Sequence, residues 1–404
     1  MDIRPILSTL RRHKTAASLI VLEVALTCAI VCNALFLVSQ RIDKISQPSG
    51  VAEKELIVVR VSGIGKQTDA MARTREDIAA LRAVPGVTQV SRANQLPFRN
   101  NSSNSGIART PEQERPTIHA AMYSFNEGAL STLGLNLIAG RDFLPSEYVD
   151  REKAQSGEGA AKAVPVIITQ AAADGLSPGQ TALGKTFYSG DQPLNVIGIV
   201  QHLATPTGWG DNTAMSLIMP LRTDFTEGVY LLRSAPERRD EVLKGALAAL
   251  ERNDPNRLVR EKLTYEDQRN DFFKNDRAMV GLLITVCVAL LVVTALGIVG
   301  LASFWVQQRS KQIGIRRALG ATRGQILRYF QTENFLLATV GIVLGMLAAY
   351  AINLALMNTY ELPRMPLIYL PIGAVLLWLL GQIAVFGPAR RAAAVPPAVA
   401  TRGS

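Results

Sequence analysis

Gly179–Thr186 reads GQTALGKT and fits G-x-x-x-x-G-K-[ST]. With that spacing a glycine-rich loop wraps backbone amides around phosphates and a lysine reaches the terminal ones. The chemistry also needs a strand before the loop and a helix after it, because the helix N-terminus holds the anion. Here a short Ala-rich helix and Ser177-Pro178-Gly179 precede it, and Phe187-Tyr188-Ser189-Gly190 leads into a strand. The segment therefore reads as a surface turn. The three histidines (His13, His119, His202) lack ligand spacing, so no metal site is expected. Cys28, Cys32 and Cys287 all fall in apolar stretches, which leaves no disulfide framework elsewhere. No Ser/His/Asp, Cys/His or paired-carboxylate arrangement is readable, so the chain reads as non-catalytic and without a cofactor. Two features remain. One is Glu23, an acid inside an apolar stretch and a functional candidate on that ground. The other is the basic run 308–331, QRSKQIGIRRALGATRGQILRYFQ.

The elements that position these residues are four apolar stretches, Ala16–Ser39, Met279–Val306, Phe335–Leu356 and Leu367–Phe386. Each is long enough to cross a hydrocarbon core of roughly 30 Å at about 1.5 Å per residue. Backbone groups in lipid must pair internally, so all four are predicted to be helices. The formal charge of +10 is concentrated beside them. Residues 1–15 carry +3, residues 307–331 carry +6 and residues 388–404 carry +3. This distribution argues against nucleic acid as a partner and, by the positive-inside rule, places these segments in the cytoplasm. Both termini then lie inside, and the segment of more than 230 residues between the first two spans lies outside. The first span resembles a signal peptide in its basic front. It is too long, however, and no small-x-small cleavage site follows at once, so it is read as an uncleaved anchor. The expected organisation is 1–15 cytoplasmic, 16–39 first span, 40–278 outer domain, 279–306 second span and 307–334 cytoplasmic elbow. It continues with 335–356 third span, 357–366 outer loop, 367–386 fourth span and 387–404 cytoplasmic tail.

The outer segment reads as α+β. Glu55–Ser62 and Val87–Val90 are strand-like and enclose a helical Thr68–Ala83. The order recurs at the far end, with strands Gly228–Arg233 and Arg257–Leu263 around a helix Pro236–Glu251. Two βαβ-like units flanking an insertion predict a split, ferredoxin-like part with a mostly-β subdomain inserted over about 96–225. Within the insertion, Val164–Thr169 and Leu194–Val200 are strands, while Asn100–Gly106 and Tyr148–Ala161 have loop composition. The charged run Tyr265–Arg277 contains no breaker, so the second span's helix is expected to continue outward as a stalk.

In the elbow, Ile313, Ile315, Ala318 and Leu319 are placed to share an apolar side, with Lys311, Arg316 and Arg317 polar. Gly320 is suited to end a helix in the left-handed conformation. Thr322 with Gln325 fits a T-x-x-Q capping box that opens the next helix. By composition alone such a helix could serve only to anchor on anionic headgroups. Glu23 is expected to snorkel or to pair with a basic group such as Arg309 or Arg328, or else to act in gating. Gly341-x-x-x-Gly345 is a dimerisation pattern of low specificity.

Ile313–Thr322 (IGIRRALGAT) with Gly324-Gln325-Ile326-Leu327 resembles the signature of MacB/FtsX-like permeases of ABC transporters, the type VII ABC superfamily. Pro388–Arg391 through Ala400–Arg402 is similar to their C-terminal tail. Ala182–Thr186 followed by Asn195–Val200 is similar to a recurring piece of the MacB-type periplasmic core domain. The resemblance implies four transmembrane helices with a periplasmic core domain between the first and second, in the bacterial inner membrane. It implies that Gly314, Ile315, Arg316, Arg317, Ala318, Leu319, Gly320, Ala321 and Thr322 form a coupling helix docked on a nucleotide-binding subunit. Arg316 and Arg317 would meet acids there, and Ile315 and Leu319 an apolar cleft. With no ATPase domain ahead of the first span, the ATPase is expected on a separate polypeptide. The resemblance further implies a second permease, identical or paralogous, in contact with membrane lipids. The function it implies is mechanotransmission for efflux of a peptide, antibiotic or other amphiphile, with a periplasmic adaptor and outer-membrane channel in a Gram-negative source. A lipoprotein-releasing permease shares this layout. So does an FtsX-like signalling transmitter that activates a wall hydrolase.

Overall fold

The computed structural model describes residues 14–64, 69–155, 163–208, 213–226, 228–360 and 364–394. The basic residues up to His13, the end of the loop 148–161 and the tail from residue 395, Arg402 included, lie outside the described residues. The chain divides into two units. One is the first helix together with residues 275–404, and the other is Ser46–Lys274.

The first unit begins with helix α1, Lys14–Ile45. The second unit follows with β1 (Leu56–Gly63), α2 (Ala70–Arg82) and β2 (Val87–Ala93). Its inserted part contains β3 (Asn104–Ile107), β4 (Ile118–Ser124), α3 (Ala129–Leu133), β5 (Leu137–Gly140), β6 (Val149–Asp150) and α4 (Arg151–Gln155). It continues through β7 (Val164–Thr169), α5 (Gln170–Leu176), β8 (Thr186–Ser189), β9 (Gln192–Val200), β10 (Ser216–Met219) and β11 (Leu221–Arg222). The chain then returns in β12 (Val229–Ser234), α6 (Arg239–Asn253), β13 (Arg257–Thr264) and α7 (Tyr265–Phe272).

The sheet of this returning half has the order β13-β1-β12-β2, with antiparallel pairing throughout. Numbered along the two βαβ units, that order is 4-1-3-2, the split ferredoxin-like arrangement expected from the sequence. Strand alternation puts Ile57, Val59, Val61, Tyr230 and Leu232 on the face covered by α2 and α6, where Leu81, Val242 and Leu250 pack against them. Asp77 of α2 is fully buried beside this core. The terminal nitrogens Nη1 and Nη2 of Arg257 both donate to it, along with the Tyr230 hydroxyl and the Asn253 amide. Burial pushes the Tyr230 phenol above its ordinary value. The neighbouring Arg92, wholly buried over the Tyr230 ring, is held below the ordinary guanidinium value by the same desolvation. The inserted part has a separate core on the sheet β3-β4-β10-β7-β9-β5, with β8 on β9.

Three sequence expectations fail in this unit. Within Tyr148–Ala161, read as a loop, Val149–Asp150 is a strand paired with Leu221–Arg222 and Arg151–Gln155 is a helix. Asn104–Ile107, which overlaps the stretch Asn100–Gly106 read as a loop, is a strand paired in register with Ala121–Ile118. The backbone of the partner strand overrides a loop-like composition there. The continuous stalk is also absent. The helix α7 is opened by a Thr264–Asp267 capping box and ends at Phe273, with φ −91° and ψ 8°. Phe273 is fully buried, with its ring centroid 5.0 Å from that of Phe98. Tyr265–Phe272 of the charged run is thus the last helix of the domain, with aromatic packing at its end, and Lys274–Arg277 opens the next helix.

The first unit resumes with α8 (Lys274–Gln308), α9 (Ser310–Ala318), α10 (Arg323–Tyr360) and α11 (Tyr369–Ala393). Among the described residues, four helices are long and apolar enough to cross a membrane: α1, α8, α10 and α11. Each contains or nearly coincides with a predicted span. The last one runs past Pro388 to Ala393, so part of the predicted tail is helix. At the other end, Arg41 and Lys44 of α1 pair with the buried Asp276 of α8, Lys44 at 3.1 Å.

Close packing in this unit depends on small residues. A methyl group at Gly341 would stand 2.9 Å from the Val21 carbonyl oxygen, and one at Gly345 would stand 2.5 Å from Cys28 Cβ. The G-x-x-x-G pair is therefore used within the chain, against α1. That corrects its reading as a dimerisation signal, because close backbone approach serves any helix partner. Polar side chains also tie α1 to its neighbours α8 and α10. Thr27 and Thr294 share a 2.8 Å hydrogen bond, and Asn33 donates to the Ala349 carbonyl at 3.1 Å.

Candidate functional site: the elbow and the helix ends that hold it

The elbow is built by local chemistry. Its helix α9 is closed by a Schellman motif. In it the Ala321 amide donates to the Arg316 carbonyl at 3.0 Å and the Gly320 amide to Arg317 at 3.1 Å. Gly320 sits at φ +96°, a conformation a side chain would strain. The next helix opens with the predicted capping box. Thr322 N–H donates to Gln325 Oε1 at 2.9 Å, and the Gln325 amide donates to Thr322 Oγ1 at 3.3 Å. The carbonyls of Arg316 and Arg317 and the amides of Thr322 and Gln325, which the two helices leave over, thus find partners within the turn.

Burial divides the elbow into two faces. Ile313 packs with Ile326 and Phe330 of α10 and with Ala389, Ala392 and Ala393 of α11, and Gly314 is buried beside it. Ile315 is 52 % exposed and Leu319 is 83 % exposed. The side predicted to be shared by Ile313, Ile315, Ala318 and Leu319 is therefore split. Ile313 faces inward because the alanine-rich end of α11 lies beneath it, while the other three face solvent. Arg316 is exposed, its guanidinium carbon 5.1 Å from the centre of the Tyr329 ring. Thr322 is exposed, whereas Ala321 and Arg317 are half-buried. Arg390 and Arg391 are exposed at the end of α11. Among the predicted site residues, those from Ile315 to Leu319 make a mostly exposed apolar and basic ridge.

Beneath the ridge lies a buried ion pair that sequence reading missed. Arg309, between α8 and α9, donates from Nη1 to both carboxylate oxygens of Glu333 at 3.0 Å. The two side chains are 8 % and 2 % exposed. The Arg309 guanidinium also stands over the Trp305 ring, 5.5 Å from its centre. Asn334 donates to the Gly381 carbonyl of α11 at 3.0 Å. Glu333 lies two residues beyond the acid-free basic run, and that position was the only signal available. A buried pair of this kind is unscreened by solvent and is strongly disfavoured when one partner is removed.

The comparisons with known proteins follow this geometry. Residues 18–250 match the MacB-like periplasmic core domain, and residues 284–397 match the FtsX-like permease C-terminal family. The chain belongs to the MacB/FtsX-like family of ABC permeases. It is 24 % identical over 338 residues to the uncharacterized ABC transporter permease YknZ of Bacillus subtilis, covering 81 % of this chain and 79 % of that one. It is 25 % identical over 373 residues to the macrolide export ATP-binding/permease protein MacB 1/2 of Paracoccus denitrificans, covering 87 % and 51 %. The Bradyrhizobium diazoefficiens MacB is 30 % identical over 231 residues, covering 54 % and 34 %. The chain thus spans about half or less of the length of these two MacB relatives. Among solved structures, the extracellular domain of YknZ aligns with TM-score 0.33 and 19 % identity over 51 % of this chain and 100 % of that one. The periplasmic region of MacB from Actinobacillus actinomycetemcomitans aligns with TM-score 0.32 and 14 % identity over 56 % and 97 %.

In this MacB/FtsX-like permease the elbow and the Arg309–Glu333 pair both lie in the FtsX-like part. Glu23 lies in the MacB-like match and does not pair as expected. Arg309 is taken by Glu333, and Arg328 is exposed. The Glu23 carboxylate instead rests on Gly297 of α8, where an added methyl would meet both its oxygens at 2.5 Å. Among the described residues it has no ion-pair partner. The phosphate-loop pattern is a turn between α5 and β8, and the Lys185 ammonium is held 2.8 Å from Gln180 Oε1. The strand-to-helix frame that phosphate binding requires is not formed there.

Proposed function

We propose that this permease couples an ATPase on a separate polypeptide to movement of its outer domain, and that Gly314–Thr322 is the surface the ATPase grips from the cytoplasm. The carrying observation is the elbow ridge. Ile315 and Leu319 are 52 % and 83 % exposed on a helix whose other side is packed and whose end is locked by caps. Large apolar side chains held rigidly beside arginines suit a partner with an apolar cleft rimmed by acids. Alignment over most of a relative named as a permease supports placing the ATPase on another chain. Two copies of the permease would sit above two ATPases in the inner membrane. ATP-driven closure would displace the elbows and, through the spans, the outer domains. The substrate class is a peptide, antibiotic or other amphiphile collected outside, with an adaptor and outer channel completing the path.

The test is recovery of the co-expressed ATPase on affinity-tagged full-length permease. Wild type retains it. Arg316→Glu with Arg317→Glu, and separately Leu319→Asp, release it while leaving the permease folded. Undiminished recovery by both variants counts against the docking surface.

A further inference from the structure

We propose that Arg309 and Glu333 are positioning residues that fasten the elbow to the third and fourth spans, so that these parts move as one block and the chain bends at Arg309 itself. The inference rests on the elbow being the docking surface. It goes further by stating where the motion received there is delivered.

Four observations carry it. The elbow shares a core with α10 and α11, through Ile313, Phe330 and Ala392. The Glu333 carboxylate that holds Arg309 is on α10, and its neighbour Asn334 bonds to α11 at Gly381. The backbone leaves the helical conformation at Arg309, with φ −101° and ψ 10°, between the end of α8 at Gln308 and the start of α9. Finally, the most apolar window of α8 is only 17 % buried, against 33 % for both α10 and α11. Over that window the second span is the least enclosed of the three, while at its elbow end Trp305 is buried and Val306 packs on the elbow core. A displaced body moves first where it is least packed, and a buried, doubly hydrogen-bonded pair resists rearrangement because each charge would lose its partner out of reach of water. Motion arriving at Leu319 therefore passes into the third and fourth spans, and the angle to the second span absorbs the difference.

The test uses the full-length chain in nanodiscs, with Cys28, Cys32 and Cys287 replaced by alanine. Spin labels are placed at the exposed Gln312 on the elbow, outside the docking segment, and at Leu347 of α10 or Leu296 of α8. The expected Gln312–Leu347 distance distribution is single and narrow. Arg309→Gln and Glu333→Gln each broaden it, and the exchanged pair Arg309→Glu with Glu333→Arg narrows it again. With the ATPase bound, replacing ADP by a non-hydrolysable ATP analogue shifts the Gln312–Leu296 distance and leaves Gln312–Leu347 fixed. Narrow distributions in both single variants overturn the proposal. So does a nucleotide shift in Gln312–Leu347 as large as that in Gln312–Leu296. Where a single variant fails to fold, the exchanged pair decides: recovery of the narrow distribution supports the fastening, and a folded protein without it refutes it. If wild type retains no ATPase, the docking reading fails, while the first set of distances still decides whether the pair fastens the elbow.

Discussion

Gly345→Leu offers a direct measure of how tightly the first and third spans are joined. A single methyl at this position would stand 2.5 Å from Cys28 Cβ and 2.6 Å from the Ala25 carbonyl oxygen. Ordinary carbon–carbon contact is about 3.5–4.0 Å, so the helices must part by about 1 Å, which forfeits a quarter to a half of each facing dispersion contact. Overpacking of this kind costs about 1–3 kcal/mol. At about 1.4 kcal/mol per tenfold, opening of the interface becomes roughly five- to a hundredfold more frequent. Cys28 and Cys32 are both fully buried, so they report that opening without any added label. The assay is the rate of maleimide modification of each cysteine in the full-length protein, followed by mass spectrometry. Gly300→Leu is the control, since nothing lies within 4 Å of a Cβ added there. The expected result is faster Cys28 and Cys32 modification in Gly345→Leu alone. Equal rates in the two variants would refute the close approach. A change in oligomeric state without a change in thiol exposure would return Gly345 to an intermolecular role.

Other perturbations test separate parts of the chain. Asp77→Ala removes the acceptor of Arg257, Tyr230 and Asn253. It should destabilise the ferredoxin-like half by about 3–5 kcal/mol, visible as a lower temperature of protease susceptibility within residues 46–274. Gly320→Ala forces a side chain into φ +96°. It should cost about 1–2 kcal/mol and accelerate amide exchange at positions 320 and 321 before any part of α9. Lys185→Ala should change stability by less than about 0.5 kcal/mol and leave nucleotide photolabelling at background, as for a surface turn. A loss of specific labelling in that variant would contradict the turn assignment.

What could be read from sequence alone follows the range of the interactions involved. The four spans were legible because lipid imposes one demand on every residue of a stretch. The left-handed Gly320 and the Thr322–Gln325 box were legible because both partners lie within a turn of each other. The ferredoxin-like strands were legible as short apolar runs, rich in Val and Ile at Glu55–Ser62, with helices read between them. What failed was set by distant partners. Glu333 and Arg309 are 24 residues apart and have no periodic relation that would mark them as a pair. Ile313 and Ile315 are alike in type, and only the start of α10 and the end of α11 decide which is covered. The break at Phe273 has neither glycine nor proline to announce it, because the stop comes from rings at Phe98 and Phe272. Gly341 and Gly345 signalled close approach, but the identity of the approaching helix was not written in their spacing.

The pairing of Ile57 with Thr264 places the first strand of the ferredoxin-like sheet beside the end of its last. Chain entry and chain exit therefore sit side by side, like the two leads of a plug. Everything from β1 to β13 can be exchanged for another cassette with equally close ends without respacing the helices on either side. The part between these two strands is thus free to vary among such permeases as a single unit.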